Sequence, residues 1–180
     1  MRHDWGIGCG GGAKTPAGAS GGAEYDVPQC AANHGQITTT CNHTITGTWM
    51  PINVDGSGNN SPGGAKGQKV YLAAMHHHCH APTCLRLDFY NNDTNKLICR
   101  VVPVYGGTDG FVSDVNGTFD EAGYVANPPC MFGVNSSYGL AEPPLMNGVT
   151  IRVEHVTNAT YGHHGEMGLP QTMLAYNIYD

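Results

Sequence analysis

Charge, aromatics, helix formers and long apolar runs are all scarce in this 180-residue chain, and each shortage excludes something. Charged residues are only 12%, and the 8 Lys+Arg against 14 Asp+Glu leave a formal charge of −6 without any basic run. That balance argues against nucleic acid and anionic membrane surfaces as partners. No apolar stretch reaches ten residues, so no helix of this chain is expected to span a bilayer. Aromatics are only 8% and form no evident platform, which disfavours a glycan-binding module. Periodic Ala-, Leu-, Glu- and Lys-rich segments are missing as well, which removes most of the case for helix. Catalytic signatures are equally thin. There is no G-x-S-x-G elbow, no H-E-x-x-H helix and no C-x-x-C pair. Gly10-Gly11-Gly12-Ala13-Lys14-Thr15 lacks the spacing of a phosphate loop. Asp120-Glu121 and Glu154-His155 are poor acid/base pairs, since neighbours on a strand face opposite ways.

What is abundant is Val, Thr, Tyr, Asn, Gly and Pro, the vocabulary of strands and turns. Strands are expected over 24–27, 36–50, 69–80, 84–91, 96–104, 122–126, 148–158 and 167–179. Gly/Asn/Pro-rich turns lie between them, at 54–68, 106–110, 116–117 and 127–147. The fold class this implies is all-β, an antiparallel β-sandwich or jelly roll of about eight strands. Residues 1–23 form a Gly-rich N-terminal arm that cannot build a core, and 24–180 form a single domain. Such an arm either packs on its own body or lies along a sheet edge of a neighbouring copy. Trp5 and Trp49 are expected to be packing anchors.

Six Asn-X-Ser/Thr sequons begin at Asn42, Asn59, Asn92, Asn116, Asn135 and Asn158; the second is weakened by Pro62. With seven cysteines they point to an extracellular, secreted and N-glycosylated protein. No basic and apolar leader follows Met1, so the chain reads as a mature or truncated form. The odd count leaves one thiol over, and sequence leaves the partners of Cys9, Cys30, Cys41, Cys79 and Cys84 open.

The chemically dense segment is Met75-His76-His77-His78-Cys79-His80. On a strand His76, His78 and His80 face one way, while Met75, His77 and Cys79 face the other. Two imidazoles two residues apart sit about 7 Å apart at Cα, which suits two ligands on one metal. A second cluster is His163-His164-Gly165-Glu166-Met167-Gly168. The soft thioether of Met167, joined to a His-X-His pair, would favour copper over zinc.

These residues carry a resemblance. From Glu24 onward the chain resembles the stress up-regulated nodulin (SURNod) family of plants and microbes. The matching pieces are, in order, Glu24-Tyr25-Asp26-Val27-Pro28, Thr46-Gly47-Thr48-Trp49, His78-Cys79-His80 and Leu97-Ile98-Cys99. Then come Pro103-Val104-Tyr105-Gly106, Asp120-Glu121-Ala122-Gly123-Tyr124-Val125, Cys130 and Gly165-Glu166-Met167-Gly168. That family is in turn similar to the C-terminal copper-binding jelly roll of the type II copper monooxygenases. The resemblance implies copper held by His78, His80 and Met167, with His76, His163 and His164 as additional candidates. It also implies a Cys99–Cys130 disulfide. The chain departs from the family in Ala81-Pro82-Thr83-Cys84, where a Gly-containing turn is usual, and in Cys79 between the two histidines. Cys79 faces away from His78 and His80, so packing or bridging is expected of it. A chain of this length has no room for the second copper jelly roll, so two-copper monooxygenation is not expected of it. The function favoured is a self-associating extracellular subunit that forms homo-oligomers or filaments through its arm and retains the His/Met metal site. The alternative is a mononuclear copper protein that binds copper or acts as an oxidase- or monooxygenase-like enzyme with an external reductant.

Overall fold

The computed structural model describes residues 2–5, 25–30, 32–33, 36–37, 41–58, 61, 63–80, 83–105, 125–160 and 162–179. The strands, in chain order, are β1 (Arg2–Trp5), β2 (Tyr25–Val27), β3 (Ala32–Asn33), β4 (Gln36–Ile37) and β5 (Asn42–Trp49). They continue with β6 (Val70–His78), β7 (Cys84–Asn91), β8 (Leu97–Val101), β9 (Val104–Tyr105) and β10 (Val125–Ala126). The last are β11 (Cys130–Met131), β12 (Ile151–Asn158), β13 (His163–Glu166) and β14 (Leu169–Tyr176). The only helical turn among the described residues is a short 3₁₀ segment, Ser136–Tyr138. The all-β reading holds, and no described helix is long and apolar enough to cross a membrane.

Alternation explains the main sheet, which runs β1-β5-β12-β7-β8. Along β12, Ile151, Val153, His155 and Thr157 are buried, while Arg152, Glu154, Val156 and Asn158 are half-buried on the opposite face. Register carries this parity sideways, with Val153 opposite both Gly47 of β5 and Phe89 of β7. A second sheet, β11-β6-β14, contributes Leu72 and Met75 to the same buried cluster as Ile45, Leu87, Phe89, Ile151 and Val153. The two sheets therefore face each other across one core, as in a sandwich. Leu72, Phe89 and Ile151 are fully buried, and each such side chain is worth roughly 2–3 kcal/mol of apolar burial.

A register shift on β6 decides which histidines point inward. Met173 of β14 pairs with Ala74, yet Leu174 pairs with Leu72, leaving Ala73 as the extra residue of a β-bulge. Parity flips there, so Leu72 and Met75 both enter the core, and His77 and Cys79 follow them inward. Pro170 sits on β14, which is the edge strand of its sheet, where a missing N–H costs no ladder bond.

Three disulfides close the structure: Cys30–Cys41, Cys79–Cys84 and Cys99–Cys130. The expected Cys99–Cys130 bridge ties β8 of one sheet to β11 of the other. Cys79–Cys84 likewise links the end of β6 to the start of β7. Cys9, the seventh cysteine, lies outside the described residues, as does the rest of the arm from 6 to 23.

Several expected strands are shorter than their pattern suggested. The 36–50 run divides into β4 and β5, 96–104 breaks at Val102-Pro103, and 167–179 is confined to Leu169–Tyr176. Proline explains the second break, since it cannot donate to a ladder. Trp49 meets the packing expectation, with its ring edge-on to Phe89 at 6.2 Å between centroids.

Candidate metal centre

The outer face of β6 presents the row that alternation anticipates. His76 and His78 are exposed and His80, just past the strand, is half-buried. The His78 and His80 rings lie 4.9 Å apart between centroids and nearly perpendicular, at 87°. Partial burial and the neighbouring His80 imidazole hold His78 below its ordinary value. That shift favours the neutral ring, the form that ligates a metal. Across from this row, Leu169 pairs with His78 and Gln171 with His76. Glu166 and Gly168 are buried and Met167 between them is half-buried, in the two-residue link from β13 to β14. His163 and His164 belong to β13, which pairs with β2, and their side chains lie outside the described residues.

The inner face at the same end of the sandwich is polar. His43, His77, His155, Thr157 and Glu166 are all buried there. His77 stands over Phe89, with 6.1 Å between ring centroids, and neither of its nitrogens has a hydrogen-bond partner. Burial first, then the His155, His76 and His78 imidazoles, hold it down to about 3. Glu166 is anchored from both sides of the loop that follows β6. The His80 N–H donates to Oε1 at 3.1 Å, and the Thr83 hydroxyl donates to Oε2 at 2.5 Å. His155 Nε2 lies 3.6 Å from Oε1. Tyr105 donates its hydroxyl to the Cys84 carbonyl, and burial together with the Glu166 carboxylate pushes its phenol up to about 12.

Cys79, Cys84 and His155, all buried, place their ligand-type atoms within 4.8 Å of one another, a group that can hold a metal ion. In this structure the two sulfurs are bonded to each other. The bridging role expected of Cys79 is met, with Cys84 as its partner.

Sequence reading found the outer row but missed Glu166, Thr83 and His155. The available signals were the buried parity of β12, which carries His155 inward beside Val153, and a lone acid set between Gly165 and Gly168. The expectation that Glu154 and His155 face opposite ways holds: Glu154 pairs outside with Arg152 at 3.3 Å. On that outer face Asp88 is gripped by Arg100, Nε to Oδ1 at 2.6 Å, and by Arg86, Nε to Oδ2 at 2.8 Å. This charge network lies on the sheet face turned away from the histidines. Among the sequons, Asn42, Asn92 and Asn135 are exposed and Asn158 is half-buried. Asn59, Asn116 and the Asp120-Glu121 pair lie outside the described residues.

No protein-family model, no curated protein and no solved structure matches this chain.

Proposed function

We propose that this chain is a secreted, N-glycosylated, disulfide-bonded β-sandwich that holds one copper ion through His78, His80 and Met167. The observation that carries this reading is the side-by-side placement of the His78 and His80 rings, 4.9 Å apart on one open face. Met167 follows Glu166, which holds the His80 N–H, and its thioether would add the soft donor that favours the cuprous ion. The resemblance to the SURNod family and the copper monooxygenase jelly roll supplies the same three residues in the same order. His76, His163 and His164 are the further imidazoles from which the coordination can be completed. Glu166 fixes the loop that carries His80 by accepting its backbone N–H from beneath. Copper there would supply one-electron chemistry, and the chain's own part would be to hold two imidazoles and a thioether.

The test is cuprous and cupric titration of the full chain and of Met167→Leu. Cuprous affinity should fall at least about tenfold in the variant while cupric affinity is largely kept. Equal behaviour of both ions in the two proteins would contradict a thioether ligand.

A second reading rests on β1. Arg2–Trp5 lies parallel along β5, with Arg2 opposite Thr44 and Trp5 opposite Gly47, at the edge of the five-stranded sheet. The same backbone ladder can be made by residues 2–5 of a second copy, because main-chain pairing does not distinguish one chain from another. Repeated head to tail, such exchange gives rings or filaments, the self-associating subunit anticipated from the Gly-rich arm. Removing residues 1–23 should reduce the oligomer to a monomer in size-exclusion with light scattering; assembly that survives the deletion would refute the exchange.

A further inference from the structure

The inner cluster carries chemistry that the outer copper site does not use. We propose that Cys79, Cys84 and His155 form a second, buried metal site that the Cys79–Cys84 bridge closes and reduction opens, taking one thiophilic d¹⁰ ion such as Zn²⁺. Four observations support it.

First, the ligand-type atoms of all three residues already lie within 4.8 Å of one another, in a region closed to solvent. A metal held by two thiolates and an imidazole needs little more than rotation of the two cysteine side chains away from each other. The spacing Cys79-His80-Ala81-Pro82-Thr83-Cys84 is C-x₄-C, within the range used by tetrahedral zinc sites.

Second, the loop between the cysteines is held by bonds that do not involve sulfur. The Cys84 N–H donates to the His80 carbonyl at 3.1 Å. Glu166 takes the His80 N–H on one oxygen and the Thr83 hydroxyl on the other. With the bridge open, these bonds would keep both thiols near their present places.

Third, His77 lies inward two residues before Cys79, fully buried, with no hydrogen-bond partner at either ring nitrogen. A buried imidazole without partners is costly. His77 is not among the three residues whose ligand atoms already lie together, so it would have to swing toward the ion to take the fourth position of a Cys₂His₂ site. The metal would then join β6, through His77 and Cys79, to β7 and β12, through Cys84 and His155. It would span the same two sheets that the bridge spans.

Fourth, the room for the His155 ring depends on a glycine. A Cβ added to Gly168 would come within 2.8 Å of His155 Nδ1. Glu166 Oε1 lies 3.6 Å from His155 Nε2, beside the ring but beyond hydrogen-bond distance.

The switching step balances as a disulfide exchange. A dithiol reductant delivers two electrons and two protons; the Cys79–Cys84 bond breaks to two thiols and the reductant leaves as its own cyclic disulfide. The metal then displaces the two thiol protons to solvent. Reoxidation by a second disulfide removes two electrons from the thiolates, remakes the bond and expels the ion.

The experiment uses the full chain with cobalt(II) as the spectroscopic substitute for zinc, and a phosphine reductant, which becomes phosphine oxide with oxygen from water. Before reduction, no thiolate-to-cobalt charge-transfer absorption should appear in a Cys9→Ser chain, whose six remaining cysteines are all bridged and whose outer histidine site offers no thiolate. After reduction, one cobalt per chain should give that absorption with tetrahedral d–d bands, and zinc should displace it. Cys84→Ser should at least halve the charge-transfer intensity, and His155→Gln should shift the d–d bands. A Cys30→Ser/Cys41→Ser chain should behave like the wild type. Mapping by alkylation keeps the result independent of variant folding: after reduction Cys79 and Cys84 should be alkylated more slowly with zinc than without it, while the exposed Cys41 should react equally in both. The proposal is overturned if reduction yields no such absorption, if the absorption is unchanged in Cys84→Ser, or if zinc protects other cysteines instead. Collapse of the near-ultraviolet circular dichroism on reduction also overturns it, since the loop would not then hold the thiols in place.

Discussion

Glu166 Oε1 stands 3.6 Å from His155 Nε2, and both side chains are sealed from solvent. A buried carboxylate is costly unless its oxygens are satisfied, and here His80 and Thr83 satisfy them from the loop that leads out of the histidine strand. Glu166 therefore couples the core to the position of the outer His80 ring.

Glu166→Ala should destabilise the fold by about 2–4 kcal/mol, because two donors lose their acceptor in a buried place. Glu166→Gln, which keeps an acceptor oxygen, should cost less. Urea unfolding of the two variants checks this, and a loss under about 0.5 kcal/mol for Glu166→Ala would contradict it.

His77 predicts an acid-sensitive fold in the metal-free protein. Its value in the folded chain, about 3, lies below the ordinary 6.5, so the unfolded chain binds more protons between the two. Stability from this residue is fully present above about pH 6.5 and is lost as pH falls toward 3, at up to about 1.4 kcal/mol per pH unit. The His155, His76 and His78 imidazoles oppose its charging, the latter two from the outer face of β6, while buried Glu166 shares the same end of the core. The effect is thus read as the difference between wild type and His77→Leu. Between pH 7 and pH 5 the wild-type urea midpoint should fall relative to that of His77→Leu; parallel curves would contradict a buried neutral His77.

The Cys99–Cys130 bridge joins the two sheets across 31 residues of chain. Replacing both cysteines by alanine should cost roughly 3–4 kcal/mol through the freer unfolded chain. A thermal midpoint within a degree or two of wild type would contradict that tie.

The outer histidine row was legible in the sequence because strand alternation is local: once 69–80 is read as a strand, the parity of His76, His78 and His80 follows. Cys99–Cys130 came from resemblance alone, and the structure forms it. What stayed illegible depends on long-range register. The Ala73 bulge flips parity within β6, and only pairing with β14 reveals it. Cys84 becomes the partner of Cys79 because the chain crosses between sheets there, which the six-residue segment does not announce. Glu166 looked like a neighbour of Met167, yet its work is done with Thr83, 83 positions earlier. The strand β1 was hidden in a Gly-rich arm, since four residues carry no periodicity, and its placement beside β5 is a matter of backbone pairing.

The most direct test of the account is copper stoichiometry of the purified full chain beside His78→Ala and His76→Ala. The account predicts one copper per chain in the wild type, loss of that ion in His78→Ala, and retention in His76→Ala. A wild-type chain that binds no copper, or unchanged stoichiometric binding in His78→Ala, would contradict it.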